Sequence, residues 1–255
     1  MQATTLCFRA RRLAALLALS LAGCAGMPPD AQSALPADAL LLGEQHDAPA
    51  HQRLHRDTVR ALTERDQLAA VALEMADQGA TTARLARTAS EADVRQALGW
   101  DEAAWPWAAY GPAVMATVRA GVPVLGANLP RAHMRRVMAD ETLDQRLAAD
   151  ALARQREAIR TGHCDLLPAA QIAPMTRIQI ARDRAMADTV TRAAQTGRTV
   201  VLIAGSAHVD AQLGVPQHLP AGLRAQAVVW PAAPAQRDYC ADLRRQMTGP
   251  PPTKP

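Results

Sequence analysis

The chain has 255 residues, of which 28 are Lys or Arg and 24 are Asp or Glu, so its formal net charge is +4. This length is typical of one domain and sometimes two. The sequence holds no stripe of Lys and Arg with interleaved aromatic residues, which speaks against nucleic-acid binding.

Residues 1–23 are typical of a bacterial secretory signal. Arg9, Arg11 and Arg12 form a positively charged start, and the apolar stretch Leu13–Leu21 follows. This stretch is shorter than the roughly 20 apolar residues that a permanent membrane-spanning helix needs. It runs into Leu-Ala-Gly-Cys24, which resembles the lipobox of bacterial lipoproteins, where the cysteine carries diacylglycerol and the signal is cut before it. The alternative is an ordinary signal peptide with a chance cysteine.

The lipobox predicts how the rest of the chain is organised. Residues 24–36 are expected to be the lipidated end and a flexible tether, residues 37–248 a single domain, and residues 249–255 a disordered tail. We therefore expect a cell-envelope protein that is lipid-anchored to a bacterial membrane, with the periplasmic side of the outer membrane favoured. In that oxidising compartment, a disulfide between Cys164 and Cys240 is favoured over two buried thiols.

Short apolar runs alternate with helical segments along the predicted domain. The predicted strands are Ala39–Leu42, Ala70–Leu73, Pro123–Leu125, Thr199–Ala204 and Gln226–Val229. The predicted helices are Pro49–Arg65, Glu91–Leu98, Tyr110–Ala120, Leu143–Ile159 and Met175–Thr196. This alternation predicts an α/β fold with a mainly parallel sheet flanked by helices on both faces. The long helical stretches after the third strand predict a helical insertion before the fourth.

Polar residues follow each of the first four predicted strands. They are Glu44, His46, Glu74, Asn128 and His208. Because the carboxyl ends of parallel strands lie at one edge of an open sheet, where ligands bind, we expect these residues to converge. Glu and His side chains can hold a divalent metal or polarise a water molecule. Gly43 and Gly205 are expected to let the chain turn sharply as it leaves its strand.

An aromatic cluster stands out in a chain with only 3% aromatic residues. Trp100, Trp105, Trp107 and Tyr110 are either a local packing cluster or the wall of a pocket for a flat, apolar ligand. Tyr110 can also present a phenolate to a metal, because tyrosine is a known ligand of haem iron.

Seven segments carry a family resemblance that covers most of the chain from about residue 38 to 210. They are LLGEQHDAPAHQRLH (41–55), VALEM (71–75), WPWAAYGPAV (105–114), GVPVLGANLPR (121–131), TGHCDLLP (161–168), RDRAMA (182–187) and VVLIAGSAHV (200–209). In this order they resemble the ChaN-like family of haem-binding lipoproteins, within the wider Tiki/TraB/erythromycin-esterase-like superfamily.

The resemblance implies haem binding linked to iron acquisition, with haem held between two subunits of a homodimer. It also implies iron ligation by a tyrosine with a histidine nearby. Tyr110 matches the tyrosine, and the histidine partner is left open among His46, His51 and His208. The predicted haem-binding residues are Tyr110, Trp105, Trp107 and His51.

The enzyme branches of the same superfamily imply an alternative function. There, Glu and His at the strand ends carry out metal-dependent or general-base hydrolysis, which Glu44, His46, Glu74 and His208 could support in this chain. The sequence lacks a G-x-S-x-G nucleophile elbow, so Ser206 is interpreted as a turn residue. A haem-binding protein is therefore the favoured prediction, a metal-dependent hydrolase of peptides or esters is the alternative, and an envelope scaffold with a vestigial polar cluster ranks third.

Overall fold

A computed structural model describes residues 26–235 and 237–248 of the chain, and side chains up to residue 245. The predicted signal peptide, the predicted lipidation site Cys24 and the predicted tail at residues 249–255 lie outside the described residues.

Five strands form one parallel sheet. They are β1 (Ala39–Glu44), β2 (Leu68–Asp77), β3 (Val124–Asn128), β4 (Thr199–Gly205) and β5 (Ala225–Val229), in the spatial order β3-β2-β4-β1-β5. Every pairing between neighbouring strands is parallel. The predicted α/β fold is therefore confirmed, and all five predicted strands are present with somewhat different ends.

Helices cover both faces of the sheet. Within the described residues they are α1 (Pro29–Ser33), α2 (Pro49–Glu64), α3 (Glu91–Leu98), α4 (Trp107–Arg119), α5 (Met134–Met138), α6 (Ala149–Gly162), α7 (Ala169–Ala193) and α8 (Tyr239–Thr248). The predicted helical insertion before the fourth strand is confirmed, because α5, α6 and α7 all lie between β3 and β4. Short 3-10 turns include Ser206–Val209, directly after β4.

The face covered by α2 and α4 has the larger apolar core. Leu40, Leu42 and Ile203 of the sheet pack there with helix residues such as Leu62 and Val114. The buried residues of α2 recur at helical spacing, which is why this segment folds as a helix against the sheet. The next helix, α3, begins with a capping box that satisfies free backbone N–H groups at its start.

The opposite face of the sheet is covered by α7, a helix of 25 residues. Strand residues facing α7 include Ala70 and Ala72, which are small and let the helix approach the sheet, while Met186 and Val190 supply the helix side of the contact. The α7 residues Gln179, Arg182 and Asp183 lie one to two turns before Met186, so they extend over the carboxyl edge of the sheet.

Part of the predicted tether is ordered in the structure. Residues Pro29–Ser33 form α1, Ala31 is buried, and Met27 also belongs to the core. The small, proline-containing composition suggested a flexible linker, but a proline at the first helical position favours a helix, and Ala31 fits against the core. Within the described residues, the packed core therefore extends back to Met27, ahead of the predicted boundary at residue 37.

Several helix predictions have different boundaries in the structure, and the helix predicted over Met175–Thr196 is α7, which begins at Ala169 and ends at Ala193. Helix α4 begins at Trp107, so Pro112 lies inside the helix rather than near its start. The predicted helix Leu143–Ile159 is divided into a 3-10 turn over Glu141–Gln145 and helix α6. No helix in the described part of the chain is both long and apolar enough to cross a membrane.

The predicted disulfide is confirmed. Cys164, just after α6, is bonded to Cys240 in the first turn of α8, which links segments 76 residues apart in the sequence. None of the described side chains of α8 is buried. The disulfide therefore holds the C-terminal segment against the body of the domain, since the described side chains of α8 add no buried packing.

Candidate functional site

A cavity of about 1500 Å³ opens at the carboxyl edge of the sheet. Its inner end is lined by Glu44, His46, Glu74, Tyr110 and His208, so four of the predicted strand-end residues meet there. One wall comes from the loop before α4 and the start of that helix. The other comes from residues 230–235 and 237–239 after β5, which we call the C-terminal strap.

Glu44, the last residue of β1, is the hub of the first group at the inner end. It is buried, and its Oε1 atom accepts hydrogen bonds from the Tyr110 hydroxyl at 2.5 Å and from His46 Nδ1 at 2.7 Å. Its Oε2 atom has no hydrogen-bond partner and lies 3.3 Å from His55 Nδ1. Glu44 therefore fixes Tyr110 and His46 relative to each other.

His46 is the histidine of this group that faces the cavity. Its side chain is 38% exposed, and its ring packs edge-to-face on Trp105 with the ring centroids 4.9 Å apart. Burial lowers the pKa of His46, but the hydrogen bond to Glu44 and the charge of Glu74 outweigh this effect and raise the pKa above its ordinary value. Because Nδ1 is bound to Glu44, Nε2 is the ring nitrogen left for a ligand.

Glu74, in β2, is the hub of a second group. Its Oε1 atom accepts a hydrogen bond from Arg182 at 3.0 Å, and its Oε2 atom accepts one from the backbone N–H of Gly205 at 2.7 Å. Arg182 also donates to the side-chain oxygen of Asn128 at 2.8 Å. The predicted residue Asn128 therefore lies beside the site and helps to position Arg182. Burial raises the pKa of Glu74, but the nearby side chains of His208, His46 and Arg182 lower it by a larger amount. The pKa is therefore below its ordinary value, and the side chain is a carboxylate.

His208 and Asp183 form a buried ion pair behind Glu74. Asp183 Oδ1 lies 2.5 Å from His208 Nδ1, and His208 Nε2 lies 3.4 Å from Glu74 Oε1. Burial opposes the charge on His208, but Glu74 and Asp183 raise its pKa to about 9. Burial raises the pKa of Asp183 to about 6. The raised pKa of His208 favours its cationic form, which lies between the carboxyl groups of Asp183 and Glu74.

Gly43 and Gly205 serve close packing, which differs from the predicted sharp turns. Neither has a positive φ angle. A Cβ atom on Gly205 would lie 2.9 Å from His46 Nε2, so a larger residue there would displace the His46 ring. A Cβ atom on Gly43 would lie 2.4 Å from Val209, in the turn after β4. Both glycines let neighbouring segments approach the strand ends.

The predicted aromatic residues separate into two roles. Trp105 lines the cavity and lies edge-on to Tyr110, with the centroids 6.1 Å apart. Trp107 is buried, donates from Nε1 to Glu91 at 2.9 Å and packs against Trp100. Trp107 therefore packs locally in this structure, and its place among the haem-binding residues stays a prediction.

His51, another predicted haem-binding residue, lines the cavity but has both ring nitrogens engaged. Its Nδ1 atom accepts a hydrogen bond from the backbone N–H of Gln45 at 3.0 Å, and its Nε2 atom lies 3.1 Å from the carbonyl oxygen of Pro231. His55, one turn later, is buried against Trp230, and burial lowers its pKa to about 4. In this structure both histidines of α2 support the cavity wall.

Comparison with known proteins adds the family. A family model described as "Haem-binding uptake, Tiki superfamily, ChaN" matches residues 31–219. The chain belongs to this ChaN family. A solved structure of ChaN from Campylobacter jejuni, reported with cofacial haem binding, has the same fold: it is 23% identical, has a TM-score of 0.66, and the match covers 80% of this chain and 86% of that chain. No curated protein matches the sequence.

In this ChaN-family chain, sequence reasoning missed two groups of site residues. Arg182 and Asp183 were not among the predicted site residues, but both point towards the sheet edge, and their spacing from the buried residue Met186 is the signal that could have found them. Tyr239 and Arg237 of the C-terminal strap also line the cavity. They lie beyond the region matched by the family model, and only the position of Tyr239 next to Cys240 pointed to them.

Most of the polar side-chain atoms at the inner end are paired with one another, and Glu44 Oε2 and His46 Nε2 are among the exceptions. Among the residues that the structure describes, no group of three or more His, Cys, Asp or Glu side chains is arranged to hold a metal ion. Arg182 occupies the position beside Glu74 that a cation would otherwise take.

Proposed function

We propose that this chain binds haem in the cavity at the carboxyl edge of the sheet and serves haem uptake at a bacterial envelope, held there through lipid on Cys24. The observation that carries this proposal is the cavity in a ChaN-family fold. Its volume of about 1500 Å³ exceeds the roughly 300–1,000 Å³ of typical small-ligand sites. A flat tetrapyrrole therefore has room to enter.

The lining of the cavity fits the chemistry of haem. Trp105, Val229 and Trp230 offer apolar surface to a porphyrin, and Arg237 offers a cation for propionate groups. The chain has only two tyrosines, Tyr110 and Tyr239, and both line the cavity. Tyrosine oxygen is a known ligand of haem iron. Tyr110 is the ligand implied by the family resemblance, and Tyr239 is its competitor.

His46 is the best candidate for the histidine next to haem. His51 has both ring nitrogens engaged, and His208 is enclosed by Asp183 and Glu74. His46 alone among these three has a half-exposed ring whose Nε2 atom is free of a hydrogen bond within the domain. A carboxylate that accepts from Nδ1, as Glu44 does here, orients a histidine towards a bound metal.

We also propose that the cavity mouth meets a second copy of the chain. The two exposed large hydrophobic residues of the described part of the chain, Val229 and Tyr239, both line the cavity. Apolar surface gathered at one opening is typical of an interaction site. Haem bound there would be shielded from water by the partner copy.

Hemin titration tests the proposal. The protein without its signal should give a shifted Soret band that saturates at a fixed haem-to-chain ratio, with dimer formation followed by sedimentation. Ala108→Trp would place a large ring at the cavity wall and should weaken binding by about tenfold or more. Ala149→Trp, an exposed alanine at the start of α6, is the matched control. If the two variants bind hemin with equal affinity, hemin binds outside this cavity.

A second function, ester or peptide hydrolysis, is favoured by one observation. The Glu44–His46 pair has the form of an oriented general base, with the histidine at the cavity. The proposal concerns general-base rather than metal-dependent hydrolysis, because the inner end lacks a metal-type arrangement among its described residues. Turnover of a panel of esters and peptides should fall by about 10²-fold or more in His46→Gln. Turnover that survives this change would remove the second function.

A further inference from the structure

We infer that Tyr239, and not Tyr110, supplies the oxygen ligand to ferric haem iron, an inference that rests on the haem binding proposed above. Tyr239 lies on the C-terminal strap, outside the region matched by the family model. The assignment follows from the surroundings of the two tyrosines in this chain.

Tyr110 is held away from an incoming ligand. It is only 3% exposed, and Trp100 and Trp105 flank its ring. Its hydroxyl donates to the buried Glu44 carboxylate at 2.5 Å. Burial and then the charge of Glu44 raise the pKa of Tyr110 far above its ordinary value, so its phenolate is strongly disfavoured. Ligation by Tyr110 would require Trp105 to move and the bond to Glu44 to break.

Tyr239 has the opposite surroundings. It is 43% exposed and lines the cavity, so the face of a large planar ligand can reach it. The Arg237 guanidinium lies over its ring, 4.7 Å from the centroid, and this positive charge favours the phenolate. Burial and a hydrogen bond to Asp47 still raise the pKa of Tyr239, so the free side chain is a neutral phenol.

Ligation of ferric iron by Tyr239 requires no reactant other than the haem itself. If haem entered the cavity, the Tyr239 hydroxyl would lose its proton, its oxygen would bond to ferric iron, and a water molecule held by that iron would leave. The proton passes to the Asp47 carboxylate, which is the hydrogen-bond partner of the hydroxyl, and from there to solvent. Arg237 then stays beside the bound phenolate as a counter-charge. Iron is not oxidised or reduced in this step.

The strap positions Tyr239 before haem arrives. Cys240, the next residue, is bonded to Cys164. At the other end of the strap, the carbonyl oxygen of Pro231 lies 3.1 Å from His51 Nε2, and the N–H of Ala233 donates to the Gln45 side chain at 3.0 Å. These ties hold the tyrosine at the mouth of the cavity, which lowers the entropy cost of ligation.

Resonance Raman spectroscopy of the hemin complex tests the inference. Ring-deuterated tyrosine shifts the vibrations of an iron-bound phenolate, and with two tyrosines in the chain each single Phe variant leaves one labelled ring to assign. Tyr239→Phe should lose the phenolate vibrations and raise the hemin Kd by about tenfold or more. Tyr110→Phe should keep these vibrations. Tyr239→His should replace them with the spectrum of imidazole ligation.

The outcomes separate this inference from the proposed function. If the parent protein binds hemin but keeps its phenolate vibrations in Tyr239→Phe, the inference is wrong while haem binding stands. If only Tyr110→Phe loses these vibrations, Tyr110 is the residue that ligates the iron. If the parent protein does not bind hemin, both ideas fail together. Tyr239 is exposed, so far-ultraviolet circular dichroism should show that its variants fold normally.

Discussion

The two ends of the cavity are built in opposite ways. At the inner end, Glu44, Glu74, Asp183 and His208 are buried and bonded to one another or to fixed neighbours. At the mouth, the strap has no regular secondary structure before α8, and Tyr239 is exposed. The inner end is therefore determined by the sheet, while the mouth depends on a disulfide and a few hydrogen bonds.

This difference separates stability from ligand recognition. Buried charges that lose a partner are costly, so changes at the inner end should act mainly on folding. Changes at the exposed mouth should act mainly on ligand binding, because little packing is lost there. The following experiments measure stability at the inner end, and both stability and hemin binding for the disulfide and for Gly205, so that they can break this division.

The largest effect is expected from Asp183→Ala. Asp183 is fully buried beside His208, and its removal leaves a buried cation with one partner fewer. Loss of one member of a buried ion pair typically costs about 3–5 kcal/mol of unfolding free energy. Asp188→Ala, on the same helix and in an exposed pair with Arg192, should cost less than about 1 kcal/mol. Similar urea midpoints for the two variants would contradict the importance of the inner network.

The next effect is a fall in stability at alkaline pH. The pKa of His208 is about 9 in the fold against an ordinary value of 6.5, so its stabilising charge is complete below pH 6.5 and is lost as pH rises through 9. A shift of that size corresponds to about 3 kcal/mol. Urea unfolding between pH 6.5 and 9.5 measures it.

The control for the pH experiment is a histidine outside the network. His133 is exposed, so His133→Gln should keep the slope of stability against pH, whereas His208→Gln should flatten it. A parent protein whose unfolding free energy is constant across this range would show that His208 is neutral in the fold. In that case one of the two carboxyl groups, Asp183 or Glu74, would have to carry a proton, because a neutral imidazole donates from only one of its nitrogens.

A smaller effect on stability is expected from removing the disulfide with Cys164→Ser and Cys240→Ser together. We expect a loss of about 2 kcal/mol, the low end of the typical range, because α8 has no buried described side chain and can detach alone. Hemin affinity should fall at the same time, since Tyr239 loses its anchor. Reduced parent protein is the matched comparison. Unchanged affinity in both would mean that the strap does not hold the ligand.

Most of the fold could be predicted from the sequence because its central strands, β1, β2 and β4, are apolar on both faces. Such runs, separated by helical periodicity, mark a parallel α/β sheet. The strand ends were predicted less well, because β2 continues through Glu74 to Asp77, past the apolar run. Helix α1 was missed because prolines and small residues suggested a linker, and only the packed structure shows that Ala31 is buried.

The inner site was predictable to the extent that it lies on strands. Glu44, Glu74 and His208 follow from the rule that parallel strands end at one edge. Arg182 and Asp183 were missed because a helix carries polar residues on several sides, and the sequence does not fix which side faces the sheet. Tyr239 depends on how the strap crosses the cavity mouth, and neither periodicity nor the family match extends to it.

The smallest effect on stability is expected from Gly205→Ala. The added Cβ would lie 2.9 Å from His46 Nε2, the end of a half-exposed side chain that can move, so the cost should be below about 1 kcal/mol. By contrast, Gly126→Ala would bring a Cβ within 2.0 Å of the Asp77 carbonyl oxygen, and backbone cannot give way as easily. Gly205→Ala should therefore leave the urea midpoint nearly unchanged and yet shift the NMR resonances of the His46 ring.

If His46 is the histidine next to haem, the Soret band of the hemin complex should change in Gly205→Ala. A parent-like Soret band, together with a displaced His46 ring, would remove His46 from the haem site and leave it to the inner network alone.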